Sequence, residues 1–272
     1  MCNKGSNILG VVLAFGIAIP AAAQTSTQPQ TPAPDEQKPV AAVGEEGVKP
    51  TRGFFSALGH NLGDDVKHIP RKNSLYWLAG GSALALAIHK EDKNFNAHLM
   101  SRSSNPFKAG ELLGESGTVL AGAVGAYVVG RFTGSRRVQH LGMDEIEALI
   151  LAEGIVNGGK AAIRRDRPLA PDGTRQAGFS MPSGHATVTF AAATVLQQHL
   201  GYRAAIPTYL AASYVAMSRL RDNRHYMSDV VMGAATGIIV GRSVTWHGRN
   251  FYGSPLLGPG RAGLAITAPD IF

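Results

Sequence analysis

Three short segments place basic, imidazole and carboxylate side chains at spacings that suit chemistry on an anion. In Lys160-Ala-Ala-Ile-Arg-Arg-Asp-Arg167-Pro168 two cations stand seven residues apart at the end of a helical block. Seven residues are two helical turns, so both cations return to nearly one face, and Pro168 marks the stop. They can meet a single anion there. A solvated basic helix end that complements the helix dipole is the plainer reading. In Ser180-Met-Pro-Ser183-Gly184-His185 the Pro-Ser-Gly run precedes an Ala-rich apolar block, which leaves backbone N–H groups exposed at a helix start. His185 can exchange a proton near neutral pH, although a capped helix with a surface histidine fits equally well. In Ser218-Arg219-Leu-Arg-Asp-Asn-Arg224-His225-Tyr-Met-Ser-Asp229 the imidazole and the carboxylate lie four residues apart. On a helix, Asp229 would sit one turn from His225 and fix its tautomer, making a nucleophile of it, or the pair could be purely structural.

Taken together and in this order, Lys-x6-Arg-Pro, Pro-Ser-Gly-His and Ser-Arg-x5-His-x3-Asp resemble the signature of the type 2 phosphatidic acid phosphatase superfamily. That superfamily holds lipid phosphate phosphatases, bacterial nonspecific acid phosphatases and vanadium-dependent haloperoxidases. The resemblance covers Lys160 to Asp229 and extends over the helical blocks from about Leu75 to Ser243. It implies that Lys160, Arg167 and Arg219 hold phosphate oxygens, with the Ser183 side chain and the Gly184 backbone adding hydrogen bonds. It further implies that His225 attacks phosphorus, Asp229 orients it, and His185 protonates the leaving oxygen. The expected activity is a metal-independent hydrolysis through a phosphohistidine, insensitive to EDTA, with no cofactor and with vanadate as a phosphate-mimicking inhibitor. The expected substrate is a phosphorylated lipid, a diphosphate or a small phosphate ester. Three cations and a helix N-terminus can by themselves offset the charge of a transferring phosphoryl group.

Other residues near the signature are less specific. Arg164, Arg165, Arg175, Arg221 and Arg224 crowd the same loops. They keep a site mouth soluble or bind a second phosphate or anionic headgroup. Asp166 and Asp222 look like local charge partners of adjacent arginines. The remaining histidines, His60, His68, His89, His98, His140, His199 and His247, lack ligand spacing and read as surface or core. The apolar run around Phe179 and Met181 leans toward a lipid substrate.

The elements that must carry these groups are helical. Apolar blocks run from Leu75 to Ile88, Gly117 to Gly130, Asp144 to Asn157, Ala186 to Leu200, Ala204 to Ser218 and Val230 to Ser243. Their Ala and Leu content and their lack of strict alternation predict an all-α bundle of about six core helices. A shorter amphipathic helix is expected between Phe54 and Val66, and the connections after Lys90 and Pro168 are long enough for functional loops. Each block, at about 1.5 Å per residue, covers roughly 20 Å against a hydrocarbon core of about 30 Å. With a mean hydropathy of +0.00, a soluble or peripheral bundle is the easier reading. Six short spans are the alternative, supported by small residues such as Gly122 to Ala126.

Composition narrows the rest. The chain of 272 residues has 44% hydrophobic residues and only 17% charged ones, which excludes a disordered or fibrous protein. Its single cysteine, Cys2, excludes a disulfide framework. A net charge of +7 points to anionic partners. Nucleic acid is not expected, because no basic stripe is interleaved with aromatic residues. Lys4, the apolar stretch Ile8 to Ile19, and Ala21 and Ala23 read as a signal peptide over 1–23 rather than an N-terminal membrane anchor, implying export to the periplasm, with or without contact to a membrane surface. A Pro-rich disordered linker is expected over 24–50, the helical domain over 51–250 and a tail of unassigned role over 251–272. Oligomeric state is not legible. Two other functions fit the residues less well: a haloperoxidase binding vanadate through His225, and a noncatalytic envelope protein that binds a phosphorylated lipid.

Overall fold

The computed structural model of the chain describes residues 54–100, 106–245, 252–258 and 261–267. The expected signal peptide and linker lie outside the described residues. The elements are α1 (Phe54–His68), α2 (Lys72–His89), α3 (Asp92–Leu99), α4 (Ala109–Leu113), α5 (Ser116–Thr133), α6 (Arg136–Ile163), α7 (Gly184–Leu200), α8 (Tyr202–Arg221) and α9 (Met227–Val244). All six expected core helices and the short amphipathic one are present, as α2, α5, α6, α7, α8, α9 and α1. The long connection after Lys90 carries two further short helices, α3 and α4. In the C-terminal tail an antiparallel hairpin pairs β1 (Tyr252–Gly258) with β2 (Arg261–Thr267).

The centre of the bundle is α9 against α7. Gly233, Gly237 and Gly241 recur every four residues on one face of α9, and a Cβ at these positions would stand 2.7 Å from Ser183 O, 2.4 Å from Thr187 O and 2.6 Å from Thr194 Cβ, respectively. The missing side chains let the two helices meet backbone to backbone. Around this seam Ala148, Leu149 and Ala152 of α6, Val188, Ala191 and Val195 of α7, and Val240 and Val244 of α9 form the buried core. A second cluster, Ala186, Ala216, Leu220 and Val230, ties α7, α8 and α9 together directly below the signature segments.

The helices outrun the apolar blocks that announce them. Polar residues at their ends continue the helix, so α2, α5, α7, α8 and α9 each rise about 26–30 Å at about 1.5 Å per residue. The estimate of roughly 20 Å per element, made from apolar blocks alone, is therefore too short. α9 is the one helix among the described residues that is long and apolar enough by itself to cross a membrane, and 72% of it is buried inside the bundle. α2 instead touches α9 through a narrow face of Gly81, Ser82 and Ala85. It leaves Leu75, Tyr76, Leu78, Leu84 and Leu86 exposed, and α5 leaves Leu120, Val124, Val128, Val129 and Phe132 exposed.

Candidate active site

The signature residues gather at one end of the bundle, where α6 finishes and α7 and α9 begin. Arg164, in a left-handed conformation, ends α6 and turns the chain into the loop that carries Arg165 and Arg167. That loop returns on itself: Asp166 bridges Phe179, and Ser180 N donates to Arg165 O at 2.7 Å. Ser183 N donates to Asp229 O at 3.0 Å, which locks the start of α7 to the start of α9. The loop ahead of α9 is pinned by Asn96 of α3, which donates to Asn223 Oδ1 at 2.8 Å and to His225 O at 3.1 Å. All eight signature residues thereby lie on one small region.

Three polar atoms at signature positions are buried yet lack a hydrogen-bond partner among the described residues: Arg167 Nε, Arg219 Nε and Ser183 Oγ. Ser183 is the N-cap residue of α7, where a serine hydroxyl ordinarily accepts from the helix, but it makes no capping bond. Unpaired buried donors are costly, and a phosphate oxygen is a partner suited to each. Lys160 Nζ completes the cradle, 3.8 Å from where a Cβ on Gly184 would stand. Burial and then the neighbouring Arg167 lower the Lys160 ammonium, and burial, Arg224 and Arg219 lower the Arg167 guanidinium. Crowded cations of this kind favour a bound anion.

The two histidines differ in surroundings. His225 is 3% exposed, and burial holds it below the ordinary imidazole range against the opposing pull of Asp229. It is therefore neutral at pH 7, the form a nucleophile requires. His185 is pushed down to about 4 by burial, then by Arg219 and His225. α4 packs on it through Gly114, where a Cβ would stand 2.9 Å from His185 Cδ2.

Asp229 is held from several sides. Its Oδ2 accepts from Ser180 Oγ at 2.5 Å and from Tyr226 N at 2.8 Å, and its Oδ1 accepts from Arg165 Nη1 at 2.7 Å. Asp229 Oδ2 lies 3.8 Å from His225 Nδ1, while Ser180 Oγ is 3.4 Å from that nitrogen. Ser180 Oγ thus stands beside both the carboxylate and the ring, a contact that the four-residue spacing alone does not reveal.

The surrounding arginines divide by environment. Arg164 and Arg224 are exposed, and Arg175 lies 3.6 Å from Asp166 in the open. Arg165 turns inward. Asp222 partners the signature residue Arg219 itself, accepting from its Nη2 at 2.7 Å. Asp166 pairs with Arg175, and neither of these contacts follows from sequence adjacency.

Residues 142–252 match the profile described as the PAP2 superfamily. Over 101 residues the chain is 43% identical to a lipid A 1-phosphatase from Porphyromonas gingivalis, covering 36% of this chain and 22% of that protein. Over 78 residues it is 44% identical to a decaprenylphosphoryl-5-phosphoribose phosphatase from Mycolicibacterium smegmatis, covering 27% of this chain and 42% of that protein. The chain spans less than half the length of either relative. Its fold is similar to the crystal structure of a transmembrane PAP2 type phosphatidylglycerolphosphate phosphatase from Bacillus subtilis. That match has a TM-score of 0.55 at 20% identity and covers 64% of this chain and 95% of the other.

Proposed function

We propose that the chain is a metal-independent phosphatase that removes a terminal phosphate from a lipid phosphate or diphosphate through a phosphohistidine. The observation that carries this reading is the set of unpaired buried donors, Arg167 Nε, Arg219 Nε and Ser183 Oγ, around the neutral His225. These donors and Lys160 bind the phosphate oxygens. His225 Nε2, the ring nitrogen opposite the Ser180 contact, attacks phosphorus in line as the bond to the leaving oxygen breaks. His185 gives that oxygen its proton. Water then attacks phosphorus while His185 takes a proton back, the P–N bond breaks, and inorganic phosphate leaves with His225 neutral again. Charge on the transferring group is offset by the cations and the N-terminus of α7.

A lipid leaving group is supported by the exposed apolar faces of α2 and α5, on which Tyr76, Leu86 and Phe132 are each more than 70% exposed. Contiguous apolar area of this kind marks contact with lipid or with another protein. Membrane association brings the catalytic end to the headgroup layer, and the signal peptide expected at 1–23 puts that end on the periplasmic side. The partial matches to phosphatases of lipid A and of a decaprenyl phosphosugar support the same substrate class.

The test is phosphate release in EDTA from an isoprenyl diphosphate in detergent and from a small aryl phosphate, by the full chain and by His225→Ala. Release from the lipid that vanishes in the variant and is blocked by vanadate is expected. Release that persists in His225→Ala removes the phosphohistidine. Preference for the aryl ester removes the lipid assignment.

A further inference from the structure

Arg165 is not one of the signature residues, yet it is the most connected side chain at the site. Its side chain is 16% exposed. Nη1 donates to Asp229 Oδ1 at 2.7 Å and to Ser228 Oγ at 2.6 Å, and Nη2 donates to Asp92 Oδ2 at 2.7 Å. Its guanidinium lies 4.2 Å from the ring centroid of Tyr226, the residue following His225. Asp92 is 2% exposed and begins α3, 136 residues before Ser228. It accepts from Ser228 N at 3.0 Å on Oδ1 and from Ser228 Oγ at 2.5 Å on Oδ2.

We infer that Arg165 is a positioning residue for the nucleophile: anchored by Asp92, it fixes the carboxylate of Asp229 against Ser180 and so sets the orientation and basicity of His225. The inference rests on the phosphatase reading only for its effect on turnover. Its physical core is the planar guanidinium fork, which reaches two carboxylates at once where an ammonium would serve one. Buried carboxylates left without such a partner would be strongly disfavoured as charges. Asp229 also accepts from Ser180 and Tyr226, but those donors are neutral, so Arg165 supplies a directly bonded positive charge, with Lys160 and Arg167 acting on Asp229 only through space. With that charge shared between Asp92 and Asp229, the pull of Asp229 on a protonated His225 is limited.

The groups that act electrostatically on His225 are Asp229, Arg167, Lys160 and His185, and His89 lies 3.3 Å from Asp92. Against this fixed background, Arg165→Gln removes a positive charge and leaves His225 as the adjacent cationic partner for the Asp229 carboxylate, which favours the imidazolium. Asp92→Asn leaves Arg165 to Asp229 alone and disfavours it.

The experiment is NMR titration of the full chain labelled in its histidines, in detergent, with His225 assigned by His225→Asn. Arg165→Gln is expected to raise the His225 midpoint and Asp92→Asn to lower it, each by about half a pH unit or more. The shift from Asp92→Asn should disappear when Arg165 is already Gln, because the two act through one clamp. In turnover, Arg165→Lys keeps the charge but not the fork, so kcat should fall about tenfold or more with KM little changed. An unmoved midpoint in both single variants, or additive shifts in the double variant, overturns the clamp. If Arg165→Gln does not fold, the direction of the Asp92→Asn shift decides alone. Wild-type protein that releases no phosphate while the midpoints shift as expected would sink the phosphatase reading and leave the clamp intact.

Discussion

Asp229 Oδ2 stands 3.8 Å from His225 Nδ1, and the hydroxyl of Ser180 lies beside both, 2.5 Å from the carboxylate and 3.4 Å from the ring. The hydroxyl donates to Asp229 and can accept the Nδ1–H of His225, which leaves Nε2 as the free lone pair. Ser180 is wholly buried, so no solvent competes for these bonds.

Ser180→Ala should therefore lower kcat by about tenfold to a hundredfold with little change in KM. Ser180 is not among the residues proposed to hold phosphate, which are Lys160, Arg167, Arg219 and Ser183. Steady-state kinetics on the lipid substrate check this. Unchanged kcat would mean that the ring closes directly on Asp229.

His185 is expected to take up a proton when the site fills. With its free value pushed down to about 4 by burial, Arg219 and His225, it is neutral at pH 6. A bound anion favours the imidazolium and raises that value, so protons are absorbed at any pH between the free and the bound value, and affinity weakens as pH rises through the bound one. Calorimetry of vanadate binding at pH 6 in two buffers of different ionisation enthalpy measures the uptake. His185→Gln should abolish most of it; equal uptake in wild type and variant would assign the proton elsewhere.

Gly114 sets the distance between α4 and the site. A Cβ there would stand 2.3 Å from Val215 Cγ1 and 2.9 Å from His185 Cδ2, closer than atoms approach. Gly114→Ala should cost about 1–3 kcal/mol of stability through overpacking. It should also lower kcat, because the ring of His185 must move. Thermal melts and kinetics on the same sample test both, and a variant that matches wild type in each would detach α4 from His185.

Much of this was legible in the sequence, for an identifiable reason. The helices announce themselves through local apolar content, and the signature segments sit where helices end or begin, but the helical spacing read for two of their pairs fails: α6 ends at Ile163, so Arg167 lies in the loop beyond it, and His225 lies ahead of α9, which begins at Met227. The Asp92 contact to Ser228 spans 136 residues, and Asn96 reaches Asn223 across 127. No periodicity connects such pairs, and the polar stretch after Lys90 gives no sign that α3 seats them on α9. Arg165 reads as one of several loop arginines until Asp92 and Asp229 are seen on either side of it. Helix length was underread for a different reason, since polar end residues such as Lys72 and His89 continue a helix that an apolar count ends early.

Asp65 of α1 and Glu147 of α6 are both fully buried and share a hydrogen bond, and Asn61 Nδ2 donates to Glu147 Oε1 at 2.8 Å. Burial, reinforced by Asp144, pushes Asp65 up to about 7. Burial also pushes Glu147 up to about 8 against the opposing Asn61 bond. Carboxyls this close titrate as a pair, with one proton retained between them. Their folded values lie above the ordinary carboxylate range near about 4. The folded state thus holds more protons than the unfolded state between that range and the folded values, and the associated stability is full at low pH and lost as pH rises to 7 and 8. Wild-type Tm should accordingly fall between about pH 5 and pH 8, and Glu147→Gln, which keeps a hydrogen-bonding group but no titratable proton, should flatten that fall. Differential scanning fluorimetry across the range measures both slopes. A wild-type Tm that rises over the same interval would mean that the pair is already ionised at neutral pH, with a positive partner close enough to hold both charges.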